Sequence, residues 1–548
     1  MRQTFKTEIH HFTIGGCLIS TERHSVLAIL IKSGFQITPD ALDYILTLRA
    51  PVQIVESIIS TKVQSESPSV LTKDFVQSIV EGQQVITSSK ERMSDDYHMP
   101  TTSLDTNESL SSDSIWQYRI EKSPLEQMVG SEGIIDDFLE LFRDRFIRIK
   151  KIYMGRMDTQ NAVSPDVAKM RKSSIPRRAA MNAEGERAKR PPSQVVLGII
   201  KNKSISKQRN IIIELEGHED SLICVIPSGF KGLQGQKLSE KANSLLLDEV
   251  ICISGHVDND ERMIADDVLF PDISTARQVG RAKREVYAVF ISDLHCGSKE
   301  FLENEFDRFI NWMNGRDVDS SDENMLEKVR YLFIAGDLVD GISVYPNQRE
   351  HLELSSLYDQ YAAITSKLQR LPKRIKIFCI PGNHDACRQA LPRPPILKAF
   401  AEPLYKLENM TMLGDPSQIL VEGVNIMMTH GDSLDDLVTA LPGASYADPA
   451  TSMIELLKKR HLAPIYGGKT ELAPLHRDWM VIDTPPDVVH FGHAHHNAVD
   501  SYRGVQIINS GTFQSQTDFM RKQGVIPTPG IVTFLNLQTG APDFRSVI

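Results

Sequence analysis

The sequence predicts a multidomain chain: an α/β sandwich over residues 285–548, a small all-β barrel over 193–275 and a small helical unit over 1–61, with a flexible linker over 62–192. Two patterns carry that prediction. In the C-terminal half, the apolar runs YAVFI, YLFIA, IKIFCI, VNIMM, VVHF and VQIIN each end in a polar loop. Strands alternating with helical stretches argue for a layered α/β fold with ligands at the strands' carboxyl ends. Before it, VVLGII, NIIIELEG, SLICVIP, EVICISGHV and MIADDVLF read as five short strands with polar turns. At 548 residues the chain also exceeds what one core holds, since single cores stop growing near roughly 250–300 residues.

The elements follow in chain order. In ILIKSGFQITPDALDYILTL, Thr38 can cap a helix with Pro39 at its first position, and a small docking module is expected there. The stretch SSKERMSDDYHMPTTSLDTNESLSSDS is rich in Ser, Asp and Thr and has little apolar surface to offset its ordering entropy. A linker is therefore expected, interrupted by one amphipathic helix at about 134–154. Its stripe is Ile135, Phe138, Leu139, Phe142, Phe146 and Ile149, with basic residues opposite, and it is expected to pack on a neighbouring domain rather than on DNA. A second loose stretch, 155–191, carries Arg171, Lys172, Arg177, Arg178, Arg187, Lys189 and Arg190. Such a run is either a solvated face or a sequence-blind phosphate contact. The five short strands fit a Greek-key barrel of the OB type. They are nearly devoid of aromatics, so scaffolding is at least as strong an expectation as stacking on single-stranded nucleic acid.

Bulk properties narrow the class. A net charge of −10 argues against a chain coated with a nucleic-acid-binding surface, though a local basic groove remains compatible with it. The six cysteines contain no C-x-x-C pair, which speaks against a disulfide framework or zinc finger. No apolar run reaches the roughly 18–20 residues of a membrane span, and MRQTFKTEIHHF has no signal-peptide core. A soluble cytoplasmic protein without membrane partners is expected.

The loops behind the long strands carry the chemistry. In order they read SDLH (292–295), GDLVDG (336–341), GNHD (382–385), THGD (429–432) and GHAH (492–495). Each alone is weak, but five in this order at strand ends are hard to explain as satisfied loop polarity. Imidazole, carboxylate and amide ligands together suit Mn²⁺ or Fe²⁺ better than Mg²⁺, which prefers oxygen and water. Two ions roughly 3.5–4 Å apart need a bridging carboxylate, and such a pair activates water against a phosphoester. A separate histidine is then needed to protonate the leaving alkoxide.

The set resembles the calcineurin-like metallophosphoesterases over about 285–515. The resemblance implies one metal site of Asp293, His295, Asp337 and His495. It implies a second of Asp337, Asn383, His430 and His493, with His384 as catalytic acid and Asp340 orienting it. Two divalent ions are implied as cofactors, Mn²⁺ first and Fe²⁺ or Mg²⁺ as alternatives. His490 and His496 match no motif position and are read as structural. More narrowly, GNHDACRQALPRPP (382–395), RHLAPIYGGKT (460–470), NSGTFQSQT (509–517) and PTPG (527–530), together with the barrel, resemble the small subunits of archaeal family D DNA polymerases. That family implies a metal-dependent 3′→5′ exonuclease that proofreads DNA ends beside a large catalytic subunit, with a sliding clamp as a further partner. No polymerase active site and no clamp-binding peptide is readable. Arg388 and Arg460 are candidates for holding phosphate or the substrate strand. Tyr466 and Phe513 are expected to pack in the core rather than stack on bases. Two other readings stay open: a non-catalytic scaffold that keeps its metals for stability, and a phosphatase of the same superfamily.

Overall fold

The computed structural model describes residues 115–170, 193–217, 219–228, 233–316 and 318–548, and short stretches between 26 and 71. The chain divides into two compact units, 1–108 and 109–548. In the first, strand β1 (Gln36–Ile37) pairs in parallel with β2 (Val70–Leu71), and a helix, Pro39–Leu46, starts at the proline as expected. Its Ala41, Leu42 and Ile45 are buried. Thr38, the Ser/Asp-rich run 88–114 and the basic residues 171–190 lie outside the described residues.

The second unit opens with β3 (Tyr118–Lys122), followed by the helix Ile135–Met154. Strands β4 (Gln194–Ile205), β5 (Ile211–Glu216), β6 (Ser221–Ile226), β7 (Val250–Val257) and β8 (Arg262–Leu269) then close a barrel in the order β4-β5-β6-β8-β7. All five runs read as short strands form it. The β6–β8 pair is parallel and the other four are antiparallel. The helix Leu233–Asn243 follows β6 and adds Leu238 and Ala242 to the barrel core.

Two six-stranded sheets follow. The first is ordered β12 (Met410–Met412), β11 (Lys376–Ile380), β10 (Val329–Ala335), β9 (Tyr287–Ile291), β18 (Ile531–Asn536), β19 (Pro542–Ser546). The second is β16 (Ala498–Tyr502), β17 (Val505–Asn509), β15 (Val488–Phe491), β14 (Val424–Met428), β13 (Ser417–Val421), β3. Phe290, Phe333 and Phe378 of the first pack against Ile426, Met428 and Ile508 of the second. Helices Glu303–Met313 and Leu357–Leu368 cover one outer face, and Leu434–Ala440 and Pro449–Lys459 the other. The central pairs β9–β10, β10–β11, β14–β15 and β15–β17 are parallel, so each sheet's central loops gather at one end.

Two expectations for 62–192 are corrected. Residues 118–122 are not linker: β3 pairs antiparallel with β13 as the second sheet's edge. Its sequence, YRIEK, buries only alternate residues and hides within a polar stretch. The helix Ile135–Met154 packs on its neighbours as expected, through a stripe rotated from the predicted one: Phe138, Phe142, Phe146 and Ile149 do pack. Leu141, Arg145, Ile149 and Tyr153 face inward, while Ile135 and Leu139 are exposed. The face is set by Arg145, whose Nε donates to Asp478 Oδ2 at 2.7 Å and whose Nη1 donates to the carbonyls of Asp248 and Pro464. Ile149 and Tyr153 then pack on β4 and β7, joining barrel to sandwich. No described helix is long and apolar enough to cross a membrane.

Candidate metal centre

The loops after β9, β10, β11, β14 and β15 bring the expected residues to one edge of the sandwich. His295 Nε2 lies 3.0 Å from His495 Nε2 and 3.7 Å from Asp337 Oδ2. His495 Nε2 lies 3.4 Å from Asp293 Oδ1. On the other side of Asp337, His430 Nε2 is 3.4 Å from its Oδ2 and 2.9 Å from Asn383 Oδ1. Asp337 therefore stands between two histidine groups. The trios Asp293–His295–His495, His295–Asp337–His384 and Asp293–Asp337–His430 each have donor atoms within 4.8 Å of one another. His493 lies farther out, with its ring 5.2 Å from that of His430.

These buried His/Asp groups fit a metal site. His430 Nδ1 donates to the Ala335 carbonyl and His295 Nδ1 lies 3.2 Å from Asp340 Oδ1, so both Nε2 atoms are left facing the centre. His495 Nδ1 is buried with no hydrogen-bond partner. Among the described residues no Lys or Arg pairs with Asp293 or Asp337. Burial alone would raise the Asp337 carboxyl, but His430, His384 and His295 outweigh it and hold it well below the ordinary range. Asp293 follows the same pattern through His495 and His430. Burial likewise opposes charge on His430, and Asp337 and Asp293 still lift it well above its ordinary value. The neutralising charge is thus supplied by imidazole protons alone, at positions where a divalent ion would supply it.

The backbone is bent to aim these groups. Asp293, His295, Asp337, His493 and His495 all have φ between 50° and 64°. Left-handed backbone costs a non-glycine residue of order 1 kcal/mol and persists only where surroundings enforce it. Two glycines make room: a Cβ on Gly382 would sit 2.1 Å from Asp337 Oδ1, and one on Gly492 2.6 Å from Asp293 Oδ2.

Asp340 divides its work differently from expectation. Its backbone carbonyl, not its carboxylate, accepts from His384 Nδ1 at 2.7 Å. The carboxylate faces His295 and is fixed by Gln348 Nε2 at 2.8 Å and Gln514 Nε2 at 3.1 Å. Burial lowers the His384 pKa, against the pull of Asp337. Arg388 and Arg460, expected to meet substrate, are corrected to structural roles. Arg388 donates to the carbonyls of Val129, Ala390 and Pro392. Arg460 is 4% exposed and donates to Ile482, Asp272 and Asp483. Tyr466 packs on Phe138 and Phe142, and Phe513 on Phe306. His490 is buried against Ser510, and burial pushes it down to about 3. His496 is half-buried, with no partner on Nδ1.

Several supporting residues escaped sequence reasoning. Arg393, buried, grips Asp432 through two bonds of 2.7 and 2.8 Å and so fixes the loop of His430. Asp385 accepts from Gly382 N and Leu338 N, and burial with Asp337 beside it pushes its carboxyl up to about 7. Asp435 Oδ1 meets His493 Nε2 at 3.0 Å and accepts from Tyr446 at 2.8 Å. For Asp385 and Asp432 the signal was their place inside GNHD and THGD. Asp435 gave none.

Residues 288–499 match the family model that describes the B subunits of DNA polymerases alpha and epsilon. The chain is 38% identical over 403 residues to the DNA polymerase II small subunit of Archaeoglobus fulgidus, covering 73% of this chain and 75% of that protein. This chain belongs to the DNA polymerase II small subunit family. Its relatives there include those of Methanocaldococcus jannaschii, 37% identical over 406 residues, and Pyrococcus furiosus, 35% over 413. These alignments cover 74% and 75% of this chain, which spans 64% of each relative's length. Two solved structures are also similar: an archaeal phosphodiesterase and a phosphoesterase from E. coli. The first is 15% identical with a TM-score of 0.25, covering 47% of this chain and 99% of that one. The second is 14% identical with a TM-score of 0.23, covering 48% and 100%.

Proposed function

We propose that this chain is the small subunit of a heteromeric replicative DNA polymerase, and that its calcineurin-like sandwich is a metal-dependent 3′→5′ exonuclease that removes mispaired or single-stranded 3′ nucleotides. The observation that carries the reading is the cluster of Asp293, Asp337, His295, His430 and His495 at the sandwich edge, whose carboxylates meet no Lys or Arg among the described residues. Asp293, His295, Asp337 and His495 would hold one divalent ion, and Asp337, Asn383, His430 and His493 the second. Such ions polarise a phosphate oxygen and acidify a water, and the nitrogen-rich donor set favours Mn²⁺ over Mg²⁺.

The chain's own groups do the rest. With Nδ1 tied to the Asp340 carbonyl, His384 has Nε2 free to carry a proton to the leaving oxygen. Its burial-lowered pKa makes the protonated ring a readier donor. Water oxygen joins phosphorus, the bond to the 3′ oxygen of the preceding nucleotide breaks, and that oxygen takes the His384 proton. The products are a 5′-nucleotide and a strand with a new 3′ hydroxyl. The Asp340 carboxylate positions His295, not His384. The barrel would scaffold the complex, and the large subunit, a DNA 3′ end and a sliding clamp are the partners the reading expects.

The test is degradation of a 5′-labelled single-stranded oligonucleotide with Mn²⁺, with and without the large subunit. A ladder shortening from the 3′ end is expected. His384→Ala should slow it roughly 10²–10⁴-fold, and Asp337→Ala should abolish it. Intact DNA in every condition, with metal still bound, would make this subunit a scaffold.

A further inference from the structure

The cleft above the donor cluster has a volume of about 440 Å³ and two unlike walls. One is the cluster itself. The other is apolar, made by Val344, Tyr345, Phe519, Met520 and Val525. Phe519 is 65% exposed, on the short helix Asp518–Gln523, whose neighbouring Met520 is buried. An aromatic ring held in water at the lip of a polar cleft contributes nothing to the core. Its support is nonetheless firm. The Thr517 side chain accepts from Met520 N at 3.2 Å, and Gln516 Nε2 donates to the Val525 carbonyl at 2.7 Å. Tyr345, half-buried, has its ring centre 6.3 Å from that of His384. Lys469 also lines the cleft; its side chain is exposed and makes no ion pair among the described residues.

We propose that Phe519 and Tyr345 are stacking platforms for the last unpaired bases of a single-stranded 3′ end, with Lys469 on its phosphate. The inference rests on the nuclease reading and names the side chains that would select an unpaired end. Stacking on a ring needs a free base face and tolerates any sequence. A paired end keeps its base faces within the duplex, whereas a frayed, mispaired end offers them. Preference for unpaired ends would then arise from these rings, with no base read by hydrogen bonds.

The experiment measures KM for two oligonucleotides with Mn²⁺, one with an ordinary 3′ end and one whose last two sugars lack bases. Wild type, Phe519→Ala and Phe519→Trp are compared as the full chain. Removing the bases should raise the wild-type KM about tenfold. Phe519→Ala should raise it by a smaller factor on the ordinary end, because Tyr345 still stacks, and add nothing on the baseless one, and Phe519→Trp should restore the ordinary value. If the two losses multiply, or if wild type handles both ends alike, stacking is overturned while the nuclease reading stands. If wild type degrades neither oligonucleotide, the nuclease reading fails and takes this inference with it.

Discussion

Among the described residues, two buried histidine–aspartate clusters invite comparison, one at the sandwich edge and one at the junction with the barrel. At the sandwich edge, Asp293 and Asp337 meet imidazoles and backbone amides but no guanidinium. At the junction with the barrel, Asp478 Oδ2 meets His461 Nε2 at 2.9 Å and Arg145 Nε at 2.7 Å, while its Oδ1 accepts from Met480 N. Residue types and burial are alike in both. What differs is who neutralises the carboxylate. Where arginine does, the cluster is a clamp between domains; where only imidazoles do, a divalent cation from outside can take their protons' place. A buried His–Asp constellation is therefore evidence for a metal only after its cations have been counted.

Three measurements would break or sharpen that contrast. The largest effect is expected at the clamp. Asp478→Ala strands Arg145 in the interior and should cost about 3–5 kcal/mol, read by urea unfolding. The folded fraction should still bind Mn²⁺; loss of metal binding along with stability would merge the two clusters into one unit. Next, Mn²⁺ at about 100 times its Kd should stabilise the wild type by about 2.7 kcal/mol, as a rise in Tm that a chelator reverses. Asp337→Asn should remove most of that rise, and an unchanged rise in that variant would put the ion elsewhere.

The effect that is smallest per step is a pH slope. Burial, against the pull of Asp478, pushes His461 down to about 4 from 6.5. Above pH 6.5 the ring is neutral whether the chain is folded or not, so it carries no penalty. As pH falls from 6.5 towards 4, the unfolded chain takes up a proton that the folded one refuses. Stability should drop by about 1.4 kcal/mol per unit from this residue, levelling off below 4. His461→Gln should flatten the profile in that window by this amount. An identical slope in wild type and variant would show that His461 is already protonated in the fold.

The donor residues were legible because each follows a short apolar strand and because the chemistry restricts their types. Strand periodicity and motif membership both operate within a few residues. What lay beyond that reach was not legible. Arg393 acts through Asp432, 39 residues away, and went unremarked, while Arg388 of the same loop, which is stapled only to carbonyls, was the candidate. The helix Ile135–Met154 was recognisable, and its face in part, since a distant carboxylate draws a charged residue inward and rotates the buried stripe from the apolar pattern. The bent backbone at Asp293 and Asp337 leaves no trace either: these residues are there for their oxygens, and the left-handed geometry is imposed on them.

Strand β3 is made long before its partner. Its neighbour Ser123 bonds Ser417, 294 residues further along, with the whole barrel in between. During synthesis this strand waits for β13 to emerge, after all five barrel strands have been made. Loop closure over such a span costs little more than over a short one, because the penalty grows only logarithmically. The arrangement does govern how the chain can be cut. A fragment starting at residue 193, where composition suggests a clean boundary, would hold the barrel and nearly all of the sandwich. It would also expose the unpaired amides and carbonyls of β13, an open edge on which the next copy could add a strand.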